Sequence, residues 1–136
     1  MPEKKFSFKL KYIVYATPEI VFDALTKTSI IKKWSDAKGK VSEKEGGEFE
    51  LFDEWVTGKV LIYNPGKKLS YSWKPSEWDK KTVPSMVTYT FNPHKAGTEI
   101  ILEHTDFPSL EESNKHKDGW IDFVFEPLND YFTSEL

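Results

Sequence analysis

The last third of the chain constrains the fold most. Two alternating runs, Val87–Phe91 and Thr98–Asp106, read as a strand pair that leads into a terminal helix beginning near His116-Lys117-Asp118-Gly119-Trp120. In that helix Trp120, Phe123, Val124, Leu128, Tyr131 and Phe132 recur at steps of three, four and seven, and Ile121, Phe125 and Leu128 form a second stripe. Apolar residues on nearly two faces require burial. Side chains as large as Trp120, Phe123, Phe125, Tyr131 and Phe132 do not lie easily on a flat sheet, so a curved sheet around the helix is expected. A curved sheet gripping a long helix leaves room for a pocket.

Upstream the pattern is mostly strands. Phe6, Phe8, Leu10, Tyr12 and Val14 alternate with Ser7, Lys9 and Lys11, the period-two mark of a strand with one wet face. Thr17-Pro18 supplies an N-cap followed by proline in the first helical position, and Ile20, Val21, Ala24 and Leu25 form the buried stripe expected of a short helix. A second short helix runs through Ile30, Ile31 and Trp34. From Gly39 the reading is strand after strand, punctuated by turns at Gly46-Gly47, Asn64-Pro65-Gly66-Lys67 and Asn92–Gly97. The stretch Pro75–Pro84 reads as a loop whose Trp78 either covers a pocket mouth or packs on the sheet edge. Ser109-Leu110-Glu111-Glu112 has the S-x-x-E pattern of a capping box, with a bend expected near Gly119. Pro127, inside the last helix, predicts a kink. Strand, two short helices, about six strands and a long helix make a segregated α+β order with an antiparallel sheet.

At 136 residues the chain suits one domain, spanning 1–136. The net charge of -3, with lysines spread along the chain, argues against a nucleic-acid partner, which needs concentrated positive charge. No apolar run approaches the ~20 residues of a membrane span, and Met1-Pro2-Glu3-Lys4-Lys5 lacks the apolar stretch of a signal peptide. A cytoplasmic protein without membrane insertion is the expectation. The absence of cysteine excludes disulfides, thiolate metal sites and cysteine nucleophiles.

Several further pieces fall in a recognisable order. They are Thr17-Pro18-Glu19-Ile20-Val21-Phe22-Asp23-Ala24-Leu25-Thr26, Lys33-Trp34, Gly46-Gly47-Glu48-Phe49 and Gly58-Lys59-Val60. Pro65-Gly66-Lys67-Lys68-Leu69, Tyr71-Ser72-Trp73, Val87–Phe91, Gly97-Thr98-Glu99 and Gly119-Trp120 continue the series. Together they resemble, over essentially the whole chain, the helix-grip proteins of the START and Bet v 1 type. The likeness is specifically to the heat-shock-protein-90 ATPase activator homologue family. The resemblance implies a helix-grip domain of six or seven strands, with a deep, mostly apolar cavity between sheet and terminal helix. Relatives use that cavity for lipids, hormones, polyketide intermediates or a protein client. The eukaryotic activator is similar only through its C-terminal domain. The larger N-terminal part, which the family links to most of the chaperone stimulation, has no counterpart in these residues, so ligand binding is expected ahead of chaperone activation.

Catalytic chemistry has little footing. There is no paired nucleophile and base, and His94, His104 and His116 lack a second histidine or carboxylate at metal-ligand spacing, so neither catalytic residues, metal nor cofactor is assigned. His104 shares parity with Ile100 and Leu102. It reads first as a rim histidine bonded to backbone or water, and second as a ligand contact or general base of a cyclase-like enzyme. Of the carboxylates Glu43, Glu45, Glu48, Glu50, Asp53 and Glu54, which could serve acid/base work or cation binding, most read as a solvated face by alternation, whereas Asp53 and Trp55, near a strand entrance, are less easily set aside. The expected pocket wall includes Val56, Val60, Ile62, Tyr71, Val87 and Phe123. Trp73, Tyr89, His104, Trp120, Val124 and Tyr131 are the candidate ligand-binding residues, most of them combining bulk with a polar tip. The sequence therefore points to a domain that binds a small apolar molecule, with a protein client as the alternative. Either a monomer or a homodimer through the strand at Phe6 fits the pattern, although Lys9 and Lys11 oppose edge pairing.

Overall fold

A computed structural model describes residues 6–134. Met1–Lys5, on which the reading of a missing signal peptide rests, lie outside the described residues. Strands β1 (Phe6–Val14), β2 (Lys40–Val41), β3 (Glu48–Leu51), β4 (Val56–Asn64), β5 (Lys68–Pro75), β6 (Ser85–His94) and β7 (Gly97–Phe107) form one antiparallel sheet. Their order is β1-β7-β6-β5-β4-β3-β2, so the first strand closes onto the last and the rest form a meander. Register shifts between Phe6 and Phe8 and between Val60 and Ile62 bend the sheet, because an extra residue on one strand bends it and tightens the local twist.

Helices α1 (Pro18–Thr26) and α2 (Thr28–Ser35) fill the link between β1 and β2. Pro18 occupies the first turn of α1, as its missing N–H allows, and Val21, Phe22, Ala24 and Leu25 are buried. Ile20, expected in that stripe, is 51% exposed. The stripe is shifted by one residue because Phe22, the larger group, turns inward to meet Tyr63 and Phe91 edge-on. The Trp34 indole N–H donates to the Ala24 carbonyl at 2.6 Å and fixes α2 against α1.

The C-terminal helix starts earlier than the apolar periodicity suggests. Ser109 caps α3 (Leu110–Gly119) by accepting the Glu112 backbone N–H at 3.2 Å. A π-helical turn, Trp120–Phe125, then passes into α4 (Glu126–Ser134). The Glu126 N–H bonds the Ile121 carbonyl, five residues back. That wider turn lies just ahead of Pro127, whose ring would strike the carbonyl four residues earlier in a regular helix. The irregularity thus falls one turn before the proline. It also re-aims the side chains: Trp120, Val124, Phe125 and Leu128 are buried, whereas Phe123, expected inside, is 67% exposed. No helix among the described residues is long and apolar enough to cross a membrane.

Candidate functional site

Between the middle of the sheet and the helix lie large buried side chains that bond to one another. Tyr71 and Tyr89 are fully buried, their hydroxyls 2.6 Å apart, and burial pushes both phenols well above their ordinary pKa. Beside them His104, also fully buried, receives the Trp120 indole N–H on Nδ1 at 3.0 Å. An indole nitrogen only donates, so Nδ1 is the acceptor and Nε2 carries the ring proton. Nε2–H then donates to Ser85 Oγ at 2.8 Å, whose hydroxyl donates to the Trp73 carbonyl at 2.9 Å. Burial first, and the neighbouring His116 second, hold the His104 pKa well below its usual value, so the ring is neutral.

An open cleft of about 360 Å³ lies at one end of this core, between the β3–β4 turn, the end of β5 and the helix. The helix contributes Glu112, Lys115, His116, Gly119, Phe123 and Val124, which the three-to-four spacing puts on one face. Trp73 and Trp120 meet at its base with ring centroids 5.0 Å apart. Phe52 and Trp55 form the opposite wall, and Glu77 from the β5–β6 loop stands at the mouth. His116 receives the Trp73 indole N–H on Nε2 at 3.1 Å and donates Nδ1–H to the Glu112 carbonyl at 2.9 Å. Burial lowers its pKa also, partly offset by that carbonyl and the Glu112 charge.

Two local features shape the cleft. The turn joining β3 to β4 places Phe52, Asp53 and Glu54 consecutively in the left-handed region, with φ of 54°, 57° and 69°. Each non-glycine residue there costs roughly 1–2 kcal/mol, so strain is concentrated where Phe52 and Trp55 are presented. Gly119 has ordinary helical φ of -62°, and a Cβ built on it would meet only Phe123, at 3.8 Å. Nothing in packing or backbone requires glycine there, yet glycine inside a helix costs about 1 kcal/mol relative to alanine.

Of the candidate ligand-binding residues, the structure brings Trp73, Trp120 and Val124 to the cleft. Tyr89 and His104 lie behind it, each with its polar atoms committed to protein partners. Tyr131 borders a separate depression with Lys33, Trp34 and Pro127. Trp55, set apart in the sequence only as lying near a strand entrance, joins Trp73, Trp120 and Val124 at the cleft, and Phe52, Glu77, Glu112, Lys115, His116 and Gly119 were missed. For the helical members the signal was present: extending the helix back to the Ser109 cap puts Glu112, His116 and Trp120 four apart. Trp78 is no lid over the mouth. Its ring packs near Phe107 and His116, and its N–H donates to Glu112 Oε1 at 2.7 Å.

A bent antiparallel sheet closed by its first strand, gripping a C-terminal helix, is the architecture of a START-like helix-grip domain. Residues 15–133 match the model of the family described as activator of Hsp90 ATPase homolog 1-like protein, and the chain belongs to that family. An activator of 90 kDa heat shock protein ATPase homolog from Dictyostelium discoideum is 25% identical over 128 residues, covering 93% of this chain and 33% of that protein. A mouse homolog 2 of the same description is 24% identical over 98 residues, or 72% of this chain and 29% of its own length. The chain thus spans about a third of the curated relatives it matches. Among solved structures, an HSP90 activator from Plasmodium falciparum superposes with a TM-score of 0.80 at 25% identity, covering 94% of this chain and 96% of that one. A Mesorhizobium loti protein gives 0.80 at 27% identity, covering 95% and 98%.

Proposed function

We propose that the cleft between Trp55, Trp73 and the helix binds a small, largely apolar molecule. Gly119 carries this reading. A helix that accepts the cost of an interior glycine, with no steric or dihedral need for it, gains only the empty volume in front of that residue. The strained left-handed turn at Phe52–Glu54 supports the same reading, since strain persists where the surrounding structure needs the geometry it produces. A volume of about 360 Å³ falls at the small end of ligand pockets, and apolar contact contributes about 25 cal/mol per Å² buried. No covalent step is needed. His104, the one histidine proposed as a base, has both nitrogens occupied and faces the core.

Substitution of Gly119 by leucine tests the proposal. The side chain enters the cleft from a helical position without a backbone clash, so G119L folds with a melting temperature at or above that of the parent. It loses binding of a neutral apolar fluorescent probe such as N-phenyl-1-naphthylamine by tenfold or more. Unchanged probe affinity in folded G119L removes the cleft from consideration.

A second reading, a protein partner of the chaperone type, draws on the relatives named as activators and on Phe123, 67% exposed on the rim. Stimulated ATP hydrolysis by purified Hsp90, lost in F123A, is its expected result. Unchanged hydrolysis would count against it.

A further inference from the structure

The polar groups of the cleft indicate the kind of molecule it takes. Four indole N–H groups lie in or beside it, and each is already committed: Trp73 to His116, Trp120 to His104, Trp55 to Glu77 and Trp78 to Glu112. Both nitrogens of His116 are engaged as well. A ligand therefore finds no unused donor along the aromatic walls. Those walls offer π surface, whose faces carry partial negative charge and attract cations.

The charged residues lining the cleft point the same way. They are Glu77, Glu112 and Lys115, two carboxylates against one ammonium. The Lys115 ammonium is drawn off to Glu111 and Glu112 at 3.9 and 3.4 Å. Glu77 uses one oxygen, Oε2, to accept the Trp55 N–H at 3.3 Å, and its other oxygen has no partner among the described hydrogen bonds. An anionic ligand would meet a lysine already paired and a surplus of carboxylate.

Resting on the cleft reading above, we infer that the ligand is an organic cation, with an apolar body between Trp55, Trp73 and Trp120 and an amine or quaternary ammonium group at the mouth beside Glu77. Three probes of one shape separate the cases: (2-naphthylmethyl)trimethylammonium, neutral 2-naphthaleneethanol and anionic 2-naphthylacetate. Each is titrated into the intact ¹⁵N-labelled chain while the indole N–H signals of Trp55, Trp73 and Trp120 are followed by NMR.

The cation binds about tenfold more tightly than the anion, with the neutral probe between them, and the spread shrinks at about 1 M salt as screening requires. E77Q weakens the cation about threefold more than it changes the neutral probe, whereas K115Q strengthens the cation relative to the neutral probe by a similar factor. Opposite signs from two exposed residues distinguish charge recognition from a general effect on folding. Equal or tighter binding of the anion overturns the inference and leaves the apolar cleft standing. Failure of all three probes to move the Trp55, Trp73 and Trp120 signals overturns the cleft reading and this inference together.

Discussion

The Trp73 indole N–H donates to His116 Nε2 across 3.1 Å and so joins the end of β5 to α3 through two side chains that both line the cleft. The bond exists only while the imidazole is neutral, because a protonated Nε2 has no lone pair to offer. The same holds for Trp120 and His104 Nδ1. Stability of the core, position of the cleft walls and protonation are therefore linked.

Burial lowers the pKa of both histidines from the ordinary 6.5. Above that pH they are neutral in folded and unfolded chains alike, and stability does not depend on them. Below it the unfolded chain binds protons that the folded imidazoles refuse, so stability falls as pH drops, by up to about 1.4 kcal/mol per pH unit for each histidine, until the folded pKa is reached. The groups facing His116 include Glu112, Glu77 and Lys115, and His116 faces His104. Urea titrations between about pH 5 and 7.5 should show this slope, and H116Q should reduce it. A slope that H116Q leaves unchanged would contradict the assignment.

The Tyr71–Tyr89 hydroxyl pair predicts a coupled response. Y71F or Y89F alone strands a buried hydroxyl and costs about 1–2 kcal/mol, whereas the double variant removes both polar groups and costs less than the sum. Chemical denaturation of the four proteins closes the cycle. Additive losses would mean that the bond carries no net energy.

Gly58 sits opposite Phe49 in the β3–β4 pairing. A Cβ there would collide with the Ser72 carbonyl oxygen and lie 2.7 Å from Phe49 Cε1. The carbonyl belongs to strand β5 and cannot yield without disturbing the sheet, so G58A should lower the unfolding free energy by about 1–3 kcal/mol at unchanged m-value.

Glu54 adopts φ of 69° and adds its negative charge to Glu50, whose pKa is raised by burial first and by Glu54 next. E54G relieves the left-handed strain and removes the repulsion, and a gain of about 1 kcal/mol is expected in thermal or urea unfolding. A loss instead would show that the turn is held by contacts of the Glu54 side chain.

Much of the fold was legible because it is written in local periodicity. The alternation from Phe6 to Val14, the Thr17-Pro18 start, the Gly46-Gly47 turn and the S-x-x-E cap at Ser109 each depend on residues within a few positions of one another, and each matches an element. The misplaced residues share a different cause. Phe123 leaves the buried stripe because a π turn changes the helical phase, and Ile20 yields to Phe22 because of two aromatic rings elsewhere in the chain.

The sequence by itself determined the order of strands and helices, the burial of an aromatic-rich interior and the class of architecture, since apolar spacing and turn residues act over short range. Tertiary structure alone decided where that interior stops being solid. His116 and Trp73 stand 43 positions apart, and Trp55, Trp73 and Gly119 are neighbours only after the sheet has bent and the helix has closed over it. A void is a failure of distant surfaces to meet, and spacing along the chain carries no record of it.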